Sequence, residues 1–216
     1  MYNKAKMKKI YFSNKHSMFK HYLANGTSRQ SNEDYPGAIF HFTKAIEINQ
    51  YSPEAYLKRG IVRAILKDLF GAEKDYSKAI ELDQNFTEAY FNRGLLWYRV
   101  ESYPDALEDF LKVVEINPNY AGVRILIGDV YWKNKDYAQA VMHYTKAIEV
   151  EPTNMSAYYK RAHAKRVLMD YDGALEDFNR FITLTPNVGQ IGLTKAIKRL
   201  FWEEIKKSKF QFSSLN

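Results

Sequence analysis

Residues 87–120 read TEAYFNRGLLWYRVESYPDALEDFLKVVEINPNY, and the spacing of this stretch decides the fold. Stepping at one fixed interval from Ala106 meets Ala38, Ala72, Ala140 and Ala174. The same step from Gly94 meets Gly26, Gly60, Gly128 and Ala162. A fixed period of about 34 residues is the mark of stacked supersecondary units, each of which buries its apolar face only against a neighbour.

Each unit carries two helical patterns. The first has an aromatic near its start (Tyr22, Tyr56, Tyr90, Tyr158, with Arg124 departing) and the small residue four further on. The second has its own small residue, then a ring (Phe42, Tyr76, Phe110, Tyr144, Phe178), then Ala45, Ala79, Val113, Ala147 and Phe181. Spacings of three, four and seven place these side chains on one helical face. Alternating small and large residues let two helices approach closely. Pro36 and Pro104 suit a first helical turn, while Pro118, Pro152 and Pro186 end the second helix. Beginning at residue 19, the units are predicted at 19–52, 53–86, 87–120, 121–154 and 155–188, preceded by a basic arm at 1–18. A stripe of Ile197, Leu200, Phe201 and Ile205 predicts a capping helix within 189–216. The first unit is the poorest version of the pattern: YLANGTSRQSN disfavours helix, so its first helix is expected to fray or to start early, near His16.

The pattern Tyr–x2–Arg–Gly/Ala, followed by Tyr or Leu, Ala, a ring, Ala and Pro, resembles the tetratricopeptide repeat. The resemblance runs without a gap over positions 19–188. It implies an all-α, right-handed α-solenoid: a superhelix of antiparallel helix pairs whose first helices line a concave groove.

The chain contains no cysteine, which excludes disulfides and thiolate metal sites and points to a reducing, cytoplasmic setting. No apolar run approaches the roughly 20 residues of a membrane span. Residues 1–32 hold seven basic side chains and no acid, and residues 189–216 six basic against two acidic, leaving 33–188 at 19 against 23, so both ends are basic and the body slightly acidic. The N-terminal segment lacks the arginines of a mitochondrial presequence and the unbroken apolar core of a secretory signal.

The five units can be compared with one another. Arg59, Arg93 and Arg161 share one position, and sixteen residues later the same units carry Asp75, Asp109 and Asp177. The other two units have Asn25 and Ile127, followed by His41 and His143. This joint variation predicts an Arg–Asp pair between the two helices of a unit; at a partly exposed site it would contribute only ~0.2–1 kcal/mol. It also makes His41 and His143 structural residues. No metalloprotease helix, phosphate loop or nucleophile elbow occurs. Only His163 would face the groove, and a zinc site needs three or four ligands. The segments outside the repeats, 1–18 and 189–216, are too short for a catalytic domain. The expectation is therefore a non-enzyme without metal or cofactor.

The resemblance implies that positions 2, 5, 9, 12 and 13 of each first helix contact ligands. In the middle and later units these positions supply Leu57, Ile61, Ile65, Phe91, Leu95, Tyr98, Arg99, Ile125, Asp129, Trp132, Lys133, Tyr159, His163 and Arg166. An apolar stripe of this kind fits a partner's peptide or helix, or else is buried between neighbouring first helices. The two-carboxylate clamp by which co-chaperones hold the C-terminus of heat-shock chaperones is not present. In its best frame the chain offers Leu57, Ile61, Asn92, Gly122 and Leu126, and Asn92 alone matches. The leading expectation is an adaptor that binds protein in this groove. The alternative is a structural subunit, cytoskeletal or ciliary for example, docked through its convex face and basic termini. Nucleic acid or an anionic membrane could also meet those termini, though no RNA-binding motif supports it.

Overall fold

The computed structural model describes residues 4–185 and Arg199, with side chains from residue 14 onward. Among them are ten helices and no strand: α1 Lys4–Ser31, α2 Tyr35–Ile48, α3 Pro53–Ile65, α4 Leu69–Leu82, α5 Thr87–Arg99, α6 Tyr103–Ile116, α7 Ala121–Lys133, α8 Tyr137–Val150, α9 Met155–Val167 and α10 Tyr171–Leu184. Second helices open at Tyr35, Leu69, Tyr103, Tyr137 and Tyr171, and first helices from α3 onward at Pro53, Thr87, Ala121 and Met155. The sequence period is thus reproduced residue for residue. The fold is an all-α solenoid. No described helix is long and apolar enough to cross a membrane.

The chain divides into two compact units, Met1–Ile116 and Asn117–Asn216. Within the first, α1 pairs with α2, α3 with α4 and α5 with α6; α2 meets α3, α4 meets α5, and first helices α1, α3 and α5 touch in sequence. Within the second, α7 pairs with α8, α9 with α10, and α8 meets α9. Connections this short make neighbouring helices antiparallel.

Helix α1 starts early, as one of the two expectations for the first unit had it, and reaches further than His16. It runs unbroken for 28 residues from Lys4 and absorbs most of the segment assigned to the arm. No proline or glycine interrupts residues 4–25. Further on, Thr27 and Ser31 donate their hydroxyls to the carbonyls of Leu23 and Thr27 at 3.0 and 3.1 Å, which lets these poor helix formers remain in the helix. Arg29 closes the turn on Asp34 at 2.7 Å. The predicted capping segment, 189–216, lies outside the described residues apart from Arg199.

The small and large residues interlock as the pattern requires. A Cβ placed on Gly26, Gly60, Gly94 or Gly128 would lie 2.5, 2.7, 2.7 or 2.4 Å from the ring of Phe42, Tyr76, Phe110 or Tyr144. Each ring thus rests on the backbone of its partner helix.

The turn inside each repeat has a feature that turn prolines did not reveal. After each first helix one residue adopts left-handed geometry: Glu33, Lys67, Glu101, Lys135 and Met169, with φ of 61°, 64°, 62°, 62° and 64°. The following N–H reaches back five residues at 2.9 Å in all five repeats, from Asp34 to Arg29 and from Asp68 to Arg63, for example. This is a Schellman closure, whose left-handed position usually holds glycine. The next residue then caps the second helix: Asp34, Asp68, Asp136 and Asp170 each accept an N–H three residues on. A side chain in left-handed geometry costs ~1–2 kcal/mol, partly offset by the greater freedom glycine has when unfolded. Each single change to glycine at these sites is therefore expected to stabilise the chain by about 0.5–1 kcal/mol. Urea denaturation of the single and fivefold variants checks this; unchanged or lowered midpoints would contradict it.

The predicted Arg–Asp pairs are present, but far less exposed than expected. Arg59, Arg93 and Arg161 each hold their aspartate with two parallel hydrogen bonds through Nε and Nη2. Asp75, Asp109 and Asp177 are only 3, 2 and 3% exposed. Each guanidinium also donates Nη1 to a hydroxyl sixteen residues earlier, on Thr43, Ser77 or Thr145, and stands over the ring of Tyr56, Tyr90 or Tyr158. One arginine therefore ties together three helices, and the small contribution expected of an exposed pair does not apply.

His143, in a repeat without the pair, is 6% exposed and stacks on Tyr131 at 5.3 Å. Its Nδ1 is buried without a partner. Burial, reinforced by nearby Lys146 and Arg124, lowers its pKa to about 4. The folded state thus keeps the ring neutral while the unfolded chain takes up a proton near pH 6.5. Stability from this group is present above pH 6.5 and is lost as pH falls toward 4. Urea midpoints at pH 7.5 and 4.5 for the native chain and for His143→Phe should show the smaller acid loss in the variant; equal losses would contradict the assignment.

Candidate binding surface

The first-helix residues singled out by sequence fall into two groups. Leu57 and Ile125, at 8 and 9% exposure, belong to the cores of their units, packed with Tyr76 and Ala89 in the first case and with Tyr144 and Ala157 in the second. Their apolar character serves packing, as the burial alternative foresaw. Tyr98 and Trp132 are half-buried, each edge-on to the tyrosine that opens the following helix, Tyr103 or Tyr137. Ile61, Phe91 and Leu95 are half-buried, while Ile65, Arg99, Lys133 and Tyr159 are exposed. His163 and Arg166 are half-buried, and the His163 ring lies 4.6 Å from Tyr159 and 5.1 Å from Phe178, edge-on to both.

In the first compact unit, α3 and α5 enclose a cavity of about 130 Å³. Ile61, Ala64 and Ile65 of α3, Leu95 and Leu96 of α5 and Leu69 of α4 line it, with Tyr76, Asn92 and Arg99 as its polar members. Nearby in the chain, Leu66 at the end of α3 and Phe70 in the first turn of α4 are also exposed, Phe70 by 70%. Four sequence-predicted residues, Ile61, Ile65, Leu95 and Arg99, therefore meet at one place. Leu66, Leu69 and Phe70 were not foreseen, because they lie at the turn between the helices and not on the first-helix face.

In the second compact unit, α7 and α9 enclose a cavity of about 160 Å³ lined by Asp129, Trp132, Tyr144, Tyr159, Lys160 and His163. Here the polar groups satisfy one another. Tyr144 donates its hydroxyl to Asp129 at 2.8 Å, and Lys160 Nζ lies 2.8 and 2.9 Å from the two carboxylate oxygens. Asp129, expected to face a ligand, is engaged by its own chain. Sequence reading missed this triad, although Tyr144 and Asp129 are fifteen positions apart in adjacent helices, close to the sixteen of the Arg–Asp pairs.

Comparison with known proteins follows the same geometry. Residues 87–120 match the family model described as tetratricopeptide repeat, and residues 128–165 match one described as TPR repeat. No curated protein matches the sequence. Among solved structures, MamA is 22% identical with a TM-score of 0.72, covering 78% of this chain and 92% of its own. PilF of Pseudomonas aeruginosa is 19% identical with a TM-score of 0.72, covering 93% of this chain and 99% of its own. YrrB, described as a TPR protein with an unusual peptide-binding site, is 20% identical with a TM-score of 0.68, covering 82% and 90%. At these identities the likeness is one of fold. The chain thus carries tetratricopeptide repeats at residues 87–120 and 128–165, within a fold it shares with YrrB and MamA.

Proposed function

We propose that the chain is a non-catalytic adaptor whose first-helix faces hold an apolar segment of a partner protein, with the α3–α5 cavity as the anchoring point. One observation carries this reading: an open apolar cavity is lined by Ile61, Ala64, Ile65, Leu69, Leu95 and Leu96, of which Ile65 is 46% and Leu69 37% exposed. Contiguous apolar surface left to water usually serves recognition, and buried apolar anchors supply most of the energy. The peptide-binding site described for YrrB, which shares the fold, supports the same reading. A C-terminal chaperone carboxylate is a poor fit as ligand, since Asn92 turns its amide onto the carbonyl of Glu88 at 2.7 Å within its own helix. The absence of cysteine is consistent with a cytoplasmic setting.

The test is retention of native partners by the full chain and by Ile65→Ala with Leu95→Ala, both shown to be folded by circular dichroism. Loss of at least ~10-fold in retained partner supports anchoring at this wall, the expected effect of removing two anchor side chains. Unchanged retention would shift the function to the remaining surfaces and the basic N-terminal helix.

A further inference from the structure

The two cavities are built from the same repeat positions, two periods apart. Asp129, Trp132, Tyr144, Lys160 and His163 in the second compact unit correspond to Ile61, Ala64, Tyr76, Asn92 and Leu95 in the first. In the second unit the tyrosine hydroxyl has a carboxylate to bond, and that carboxylate has a cation. In the first unit the tyrosine remains but the carboxylate is gone, because isoleucine stands in its place. Tyr76 is 2% exposed, and among the described residues its hydroxyl has no hydrogen-bond partner. Burial raises its pKa, so the phenol stays protonated and able to donate. A cation remains too: Arg99 lines the same cavity, acts on the Tyr76 phenol electrostatically, and makes no ion pair among the described residues.

We propose that the α3–α5 cavity recognises an aspartate or glutamate side chain of the partner segment, flanked by apolar residues, with the carboxylate accepting from Tyr76 and pairing with Arg99. The partner thereby supplies the group that Asp129 supplies internally in the second unit. Charge complementarity selects the acid, and the surrounding Ile61, Ile65 and Leu95 select its apolar neighbours. A charge-assisted hydrogen bond in a largely apolar cavity is among the stronger polar contacts available. This inference rests on the proposed use of the cavity and goes beyond it by naming the chemistry of the ligand.

The Tyr76→Phe change is safe for the fold, because Phe42, Phe110 and Phe178 occupy the equivalent position in other repeats. Arg99 is exposed. The experiment selects displayed random dodecapeptides on the full chain, one library with the peptide C-terminus blocked by fusion and one with it free. The tightest blocked peptide is then synthesised as its amide, with its acid intact or changed to the corresponding amide side chain. Affinities are read by fluorescence anisotropy for the native chain and for Tyr76→Phe with Arg99→Ala. The expected result is enrichment of peptides carrying an acid beside apolar residues. The acid-to-amide change should then weaken binding at least ~10-fold for the native chain and less than ~3-fold for the double variant, a coupling only direct contact produces. Peptides without a shared acid, equal discrimination by both proteins, or enrichment confined to free C-termini would overturn the proposal. Binders that depend on Leu95 but carry no acid overturn it while leaving the groove reading standing; binders indifferent to Leu95→Ala overturn both.

Discussion

Arg93→Ala is expected to lower the stability of the chain by about 3–5 kcal/mol, the usual cost of leaving a buried carboxylate without its partner. The reason lies in how little else surrounds Asp109. Asp75 has a second cation, Arg63, at 2.8 Å, and Asp177 has Lys165 at 3.0 Å. In the middle repeat that position is Trp97, so Arg93 is the only cation paired with Asp109 among the described residues. Burial pushes the Asp109 carboxyl up despite Arg93, while the hydrogen bonds that Arg93 donates to Asp109 raise the guanidinium further. Arg59→Ala and Arg161→Ala should therefore cost distinctly less than Arg93→Ala. Replacing Asp109 with leucine in the Arg93→Ala background should restore part of the loss, since an apolar interior tolerates leucine better than a lone charge. Urea denaturation at neutral pH gives the ranking. A loss below ~1 kcal/mol for Arg93→Ala would mean that the pair behaves as an exposed one.

The second large effect is expected at Gly94. A Cβ there would lie 2.7 Å from Cε1 and 2.9 Å from Cδ1 of Phe110, whose ring is fully buried. Gly94→Leu cannot be accommodated by rotating Phe110 alone, so α5 and α6 must separate, at a cost of ~3 kcal/mol or more. Gly94→Ala should cost much less, because Ala162 faces Phe178 at the equivalent place in the last repeat. Phe110→Ala in the Gly94→Leu background should recover part of the loss by vacating the space. Thermal melts of the three variants decide it; a Gly94→Leu protein as stable as the native chain would contradict the interlock.

How far these features were legible follows from the range over which each is determined. Helix boundaries, the ring-on-glycine contact and the Arg–Asp partnership depend on residues within one repeat, and repetition printed them three to five times. The strength of the Arg–Asp pair was not legible, because burial of Asp109 depends on the packing of neighbouring helices. The left-handed turn residues escaped notice because Glu33, Lys67, Glu101, Lys135 and Met169 lack the glycine that usually marks such geometry. An early start near His16 was legible in the first helix, but not its reach to Lys4, nor that YLANGTSRQSN, disfavoured by propensity, is held by packing of Gly26 under Phe42. At the candidate site, position numbers found Ile61, Ile65, Leu95 and Arg99. They could not distinguish these from Leu57 and Ile125, which face inward, nor show that Asp129 is already paired with Lys160.

The claim that most of this depends on is that a partner segment lies against the α3–α5 wall. Site-specific photo-crosslinking tests it directly, with a photoreactive phenylalanine analogue placed at Leu95, at Ile65 or at Phe40, the last being 55% exposed on second helix α2. The account predicts crosslinks to one partner from positions 95 and 65 and none from position 40. Crosslinks from position 40 alone, or equally from all three, would contradict it.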